Sequence, residues 1–343
     1  MNNRVNLVQE KKTLKILING TYYSGSSALV DFCRGLKNST TYPGEFLDFR
    51  SAGLVGDLAA PENTGIGESL IKRYLQSNGN ISHLYPTSRW LQYSKVLHEL
   101  RWFILDLVSK WSPSIVRQKL MKNTSMLCLN RFYKAIHNRT DIDHIIQQAI
   151  VWQNCLTNNI ASGSDYVIFD QPIYLTKHFH IWPLVFDPVR LIVMVRDPRD
   201  QIADMVKRGK VFNDFNRCGT NGISDIFGSN LEGAVNYHLK RLEIQYERIL
   251  FLKKMLPANK FMVVPFECFV QDFSVTTKKV LKFIGNENQA ADFDPDQSKF
   301  KLSESKNNIG IYLQFPEITT IVERSVTVMG YYSQLAKQFN NNL

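Results

Sequence analysis

The run Leu191–Val195, LIVMV, is the feature that most restricts the fold. Five apolar residues follow one another without polar alternation. A strand of that kind is buried on both faces, which is the habit of a parallel sheet with helices packed on either side. The run stops at Arg196-Asp197-Pro198-Arg199-Asp200, where Pro198 suits the first turn of a helix. Three more short apolar runs read as strands: Lys15–Asn19, Tyr166–Phe169 and Phe261–Val264. Apolar residues at helical spacing fill Ala28–Leu36, Leu231–Leu256, Ser274–Ile284 and Thr320–Leu335. Strands alternating with helices predict an α/β fold with three layers, a parallel sheet with helices on both faces. Gly44–Asp57 reads as a loop or short strand near the carboxyl end of the first strand, the edge where open α/β sheets bind ligands.

The first strand candidate leads into GTYYSGSS, Gly20–Ser27, and then into a helix. Strand, glycine loop and helix are the opening unit of a P-loop nucleotide-binding fold. The spacing matches G-x-x-x-x-G-K-[ST], with Ser26 in the lysine position. A triphosphate with its metal needs that lysine. Without it, amides at a helix start still gather a single phosphate, aided by the helix dipole. The candidate anion-binding residues are therefore Tyr22, Tyr23, Ser24, Gly25, Ser26 and Ser27. A structural turn capped by serine is the plain alternative. Arg196, at the tip of the buried strand, brings a guanidinium to the same sheet edge, where arginine is the preferred fork for phosphate oxygens. Its alternative is an Arg–Asp pair capping a helix.

The formal net charge of +10, from 41 Lys and Arg against 31 Asp and Glu, suits an anionic partner without choosing one. No nucleic-acid-binding module is recognisable, so nucleic acid is not an expected partner. The five cysteines, Cys33, Cys128, Cys155, Cys218 and Cys268, have no metal-knuckle spacing and read as free thiols. The segment Met1–Lys12 is polar, and no run reaches the length of a membrane span. A cytoplasmic protein is the expectation. From about Gly67 to Asn159 Pro and Gly become scarce in the periodic stretches, which predicts a helical insertion. Its aromatic residues, among them Trp90, Tyr93, Trp102, Phe103 and Trp111, alternate with Arg89, Lys95, Arg101 and Lys110. Core packing of a helical subdomain is the leading reading there. A sugar-stacking lid and a peripheral contact with the inner membrane surface are the others.

YSGSS (Tyr23–Ser27) and VRDPR (Val195–Arg199) together resemble the two signatures of sulfotransferases that use 3′-phosphoadenylyl sulfate (PAPS), namely the 5′-phosphosulfate loop and the 3′-phosphate motif. Val264–Phe273 resembles the family's next strand-to-helix segment. Ser305–Gly310 resembles a late loop that reaches back to the nucleotide, and Met329–Tyr332 resembles a C-terminal L-G-Y. The likeness covers about half the chain and leaves the insertion at 67–159 outside it. It implies one sulfotransferase-like domain over 13–340, with PAPS as donor and no metal. The loop is closest in flavour to the carbohydrate branch, which implies a carbohydrate or lipid-linked glycan acceptor. In that branch a glutamate follows the loop, and Glu45 stands at close to that spacing as the candidate general base. Arg196 is implied at the 3′-phosphate, with Lys306 beside it.

Two positions depart from the family pattern. Tyr23 replaces the usual Lys or Arg, and Asp204 stands where a serine is usual, a carboxylate beside an expected phosphate. His83, His178 and His180 are rival bases, and Asp170-Gln171 at a strand end are candidates to contact acceptor. The alternatives are another P-loop transferase, such as a small-molecule kinase, and a non-catalytic nucleotide-binding relative.

Overall fold

The computed structural model describes residues 13–51, 54–59, 113–137, 141–161, 163–175, 180–212, 230–287 and 300–340. His83, His178, Cys218 and the aromatic stretch from Trp90 to Trp111 lie outside them, as does all of the proposed insertion before residue 113. The strands are β1 (Leu14–Gly20), β2 (Ser39–Glu45), β3 (Tyr166–Asp170), β4 (Val189–Val195) and β5 (Phe261–Pro265). They form one parallel sheet in the order β2-β3-β1-β4-β5, with Leu17 opposite both Phe169 and Leu191. The fold is a three-layer α/β sheet with helices on both faces, as the unbroken apolar run of β4 requires.

Successive residues of each strand point to opposite layers. Leu17, Phe169, Leu191 and Val193 face one core. Helices α2 (Pro113–Ile136), α3 (Ile142–Ala161), α4 (Pro198–Lys207) and α5 (Leu231–Met255) fill it with Phe132, Trp152, Met205 and Tyr246. Ile16, Ile18, Ile168, Ile192 and Met194 face the other core. There α1 (Ser26–Arg34), α6 (Phe266–Gln271) and α7 (Phe273–Ile284) supply Leu29, Phe269 and Leu281. Burying one such side chain is worth about 1.5–3 kcal/mol, so these two faces dominate the stability.

Three helix starts follow from local chemistry. Asp197 accepts a hydrogen bond from the Arg199 amide at 2.9 Å with Pro198 in the first turn of α4. Asn230 accepts from Gly233 N at 2.8 Å at the start of α5. Gly25, with φ 83°, opens α1.

The sequence expectation differs from the structure in two places. Thr320–Leu335 is not one helix but the junction of α9 (Pro316–Arg324) and α10 (Val326–Asn340), broken at Ser325 where ψ is 73°. The stretch before Glu45 is the edge strand β2, not identified from sequence. It pairs on one side with β3 and carries Pro43, which only an edge tolerates. Two single helical turns, Leu47–Arg50 and Val55–Leu58, follow it. Among the described residues no helix is long and apolar enough to cross a membrane.

Candidate functional site

β1 and β4 are neighbours, but the helices that follow them lie on opposite faces: α1 packs in one layer and α4 in the other. Such a divergence opens a crevice at the carboxyl ends of the two strands. The glycine loop after β1 and Arg196 after β4 both emerge there.

The loop is tightly determined. A Cβ on Gly20 would lie 2.8 Å from Ser26 Cβ, and one on Gly25 would lie 2.5 Å from the Phe266 ring. Tyr23 itself sits in the left-handed region at φ 62°. A non-glycine residue held there carries about 1–3 kcal/mol of strain, which the surroundings must offset. Two glutamines brace the loop. Gln171, just past β3, donates to Ser26 Oγ at 2.8 Å and accepts from Gly20 N at 3.4 Å. Gln201 on α4 donates to the Tyr22 carbonyl and accepts from Thr21 Oγ1 at 3.3 Å. In the first turn of α1 the Ala28 amide is taken by the Gly25 carbonyl at 3.0 Å, while a helix start as a rule leaves its first amides without an acceptor inside the helix. Ser24 Oγ is buried and meets no hydrogen-bond partner.

Arg196 is only 3% exposed and ties three segments together. Its guanidinium donates to the Tyr23 carbonyl at 3.2 Å, to Asp204 Oδ2 at 3.0 Å and to the Asn308 carbonyl at 2.8 Å. It also lies 5.1 Å from the centroid of the Phe266 ring, and its Nε is buried without a partner. The Asp204 carboxylate is shared: Oδ1 accepts from Arg208 Nε at 2.8 Å. Arg208 is half exposed, and its terminal nitrogens reach no acceptor among the described residues. The contact with Asp204 raises its pKa.

The other members of the RDPRD motif are structural. Arg199 clamps Asp197 at 2.7 Å and covers the Tyr312 ring at 4.3 Å. Asp200 accepts from Gly310 N at 2.9 Å and Tyr312 N at 3.2 Å, which pins the late loop over the site. Glu267 accepts from Asp197 N at 2.9 Å and from Tyr332 Oη at 2.7 Å. Burial raises the Glu267 carboxyl, with these hydrogen bonds acting against it. The segments that resemble the family in sequence therefore meet in space.

A cleft of about 560 Å³ lies between them, within the usual range for a small-molecule site. Gly25, Ser27, Tyr23, Arg196, Asp204 and Arg208 line it, together with Phe300, Ser305 and Asn308. Asp170, from the end of β3, also lines it. Its carboxyl is raised from 3.8 to about 6, first by burial and then by the charge of Glu45, while Arg50 and Arg34 pull it down. Asp170 Oδ1 is buried with no hydrogen-bond partner.

The sequence candidates are not all brought together. Tyr23, Gly25, Ser27 and Arg196 line the cleft, and Ser24 and Ser26 lie beneath it as buried parts of the loop. Tyr22 turns away, 38% exposed, with Arg241 at 5.7 Å from its ring centroid. Lys306 is exposed at the end of α8 (Leu302–Lys306), and the cleft takes its neighbours Ser305 and Asn308 instead. Glu45 is outside the cleft lining; it stands opposite Asp170 in the β2–β3 register and is paired with Arg50. His180 is exposed and outside the lining. Arg208 and the two bracing glutamines were not singled out for these roles from sequence. Arg208 lies one helical turn past Asp204, a spacing that alone signals an ion pair and nothing more.

No protein-family model matches the sequence, and no curated protein does. Among solved structures the chain is similar to the sulfotransferase domain from the Synechococcus PCC 7002 olefin synthase, at 17% identity over 94% of each chain with a TM-score of 0.42. It is also similar to the sulfotransferase domain from the curacin biosynthetic pathway, at 14% identity over 83% of this chain and 75% of that one, TM-score 0.42. Sulfotransferase STF9 from Mycobacterium avium shares 10% identity over 87% of this chain and 67% of that one, TM-score 0.39.

Proposed function

We propose that the chain is a sulfotransferase that moves a sulfuryl group from PAPS to an acceptor hydroxyl. The observation that carries this reading is the 3.2 Å contact between Arg196 and the Tyr23 carbonyl, which joins the loop and the arginine motif in one cleft. The residues fit such a donor. Ser24 Oγ and Arg196 Nε are buried polar atoms without partners, one at each anion-holding corner. Buried polar groups left in that state ordinarily await a ligand or water.

When bound, the donor supplies a sulfuryl group attached to a phosphate leaving group. The amides of the α1 start, with the Ser27 hydroxyl, hold the 5′ end and the charge that develops there. Arg208 supplies the half-exposed guanidinium for the 3′-phosphate, with the buried Arg196 beneath it. Asp204 is then a bridge that aligns two arginines rather than a repulsive neighbour: two cations and one anion leave a net positive corner. Arg208 also stands near the Tyr23 phenol. Asp170 accepts the proton of the acceptor hydroxyl, since a base with a pKa near 6 is mostly ionised at neutral pH yet still basic. Glu45 acts through Asp170 by raising its pKa. The acceptor is a carbohydrate or lipid-linked glycan on the strength of the YSGSS loop, and the reaction needs no metal.

The test is transfer of radiolabelled sulfate from PAPS to a glycan panel, paired with thermal shift by PAPS, adenosine 3′,5′-bisphosphate, ATP and ADP with and without Mg²⁺. Stabilisation by the bisphosphate without Mg²⁺, and label transfer insensitive to chelator, support the reading. Stabilisation by ATP only with Mg²⁺ would establish a kinase instead. Binding of PAPS without transfer to any acceptor would leave a nucleotide-binding protein.

A further inference from the structure

Away from the cleft, two thiols lie in contact. Cys128 on α2 and Cys155 on α3 hold their sulfurs 3.0 Å apart, about 1 Å beyond a disulfide bond length. Both are free thiols. Their surroundings differ in a useful way. Cys128 is buried, and burial, followed by its hydrogen bond to Cys155, pushes its thiol up to about 12. Cys155 is half-buried, with Arg131 Nη1 at 3.8 Å and Asn159 Nδ2 at 3.6 Å from its sulfur. Those donors are placed to hold negative charge on an oxidised sulfur. One thiol is reachable, and the other is a protected thiol within bonding reach of it.

We propose that Cys128 and Cys155 are a peroxide-oxidisable dithiol that closes reversibly into a disulfide across α2 and α3. The Cys155 thiolate attacks one oxygen of hydrogen peroxide. The O–O bond breaks, leaving a sulfenic acid on Cys155, and the departing hydroxide takes up the proton that the Cys155 thiol had given up and leaves as water. The Cys128 sulfur then attacks the sulfenic sulfur and loses its proton. The S–O bond breaks, the S–S bond forms, and a second water leaves. Two sulfurs are oxidised by one peroxide, and a dithiol reductant reverses the change.

The cross-link sits one turn from Ser125, whose hydroxyl bonds the buried Asp48. Asp48 belongs to the turn that carries Arg50, the partner of Glu45. Oxidation therefore fastens the two helices that support the β2 edge of the sheet. This inference is independent of the sulfotransferase reading.

The full-length protein is treated with graded hydrogen peroxide, its remaining thiols are alkylated, and the digest is read by mass spectrometry. The expected product is a Cys128–Cys155 cross-linked peptide, lost on reduction, that forms before Cys268 is oxidised. Closing this loop raises the Tm by about 5 °C, because the unfolded chain loses conformations. In Cys128→Ser, Cys155 should remain as a sulfenic acid that a cyclic-dione probe traps. Cross-link failure in the wild-type chain at peroxide levels that oxidise Cys268 overturns the proposal. So does accumulation of Cys155 sulfinic acid beside a reduced Cys128. Both readouts come from the wild-type protein, so they stand even if the variant folds poorly.

Discussion

Replacing Asp170 by asparagine should make the protein more stable at neutral pH while it abolishes proton acceptance. Asp170 rises from 3.8 to about 6 on folding, mainly by burial and next by the Glu45 charge. The folded state thus holds this proton more tightly than the unfolded chain. The contribution of the carboxyl to stability is fullest below about pH 4, falls as pH rises, and has been lost above about pH 7. A rise from 3.8 to about 6 corresponds to an upper limit near 3 kcal/mol, at about 1.36 kcal/mol for each tenfold change in proton affinity. Because the carboxylate keeps some access to water, about 1–2 kcal/mol is the expected gain for Asp170→Asn above neutrality. Asparagine keeps the shape and removes the charge. The assay is denaturant unfolding followed by circular dichroism at about pH 4, 5.5 and 7.5. The variant should gain over wild type as pH rises and match it near pH 4. Turnover should fall by about 10²–10⁴-fold. A variant less stable than wild type at pH 7.5, or a gap that does not change with pH, would refute the claim that Asp170 is held ionised against its surroundings.

Glu45→Gln should retain turnover but move the acid limb of the pH–rate profile below about 6, since the repulsion on Asp170 is removed. Collapse of turnover at every pH would return the role of base to Glu45. Arg208→Ala should weaken adenosine 3′,5′-bisphosphate about 10- to 100-fold by calorimetry, the scale of a lost charge-assisted hydrogen bond, and leave adenosine 5′-monophosphate nearly unchanged. Equal losses for both would remove Arg208 from the 3′ corner. Gly25→Ala should cost about 2–4 kcal/mol in denaturant unfolding, because φ 83° and the Phe266 ring both exclude a Cβ. An unchanged midpoint would contradict the loop geometry.

The layer architecture was legible in the order of residues. LIVMV has no polar side, so β4 had to be covered on both faces, and the strand-loop-helix at Lys15–Leu36 put an anion-binding turn at the sheet's edge. Local chemistry of this kind can be read because neighbours in the chain decide it: the turn glycines, the Asp197 cap, the apolar period. Which side chains meet was settled only by the packed fold. Glu45 and Asp170 lie in different strands, and their alignment in the β2–β3 register, with Asp170 lining the cleft and Glu45 outside the lining, depends on a pairing between residues more than a hundred apart. Asp204 looked like an obstacle to a phosphate until the fold showed it shared by Arg196 and Arg208. Burial, hydrogen-bond partners and pKa arise from such long-range proximity, and no window of sequence contains them.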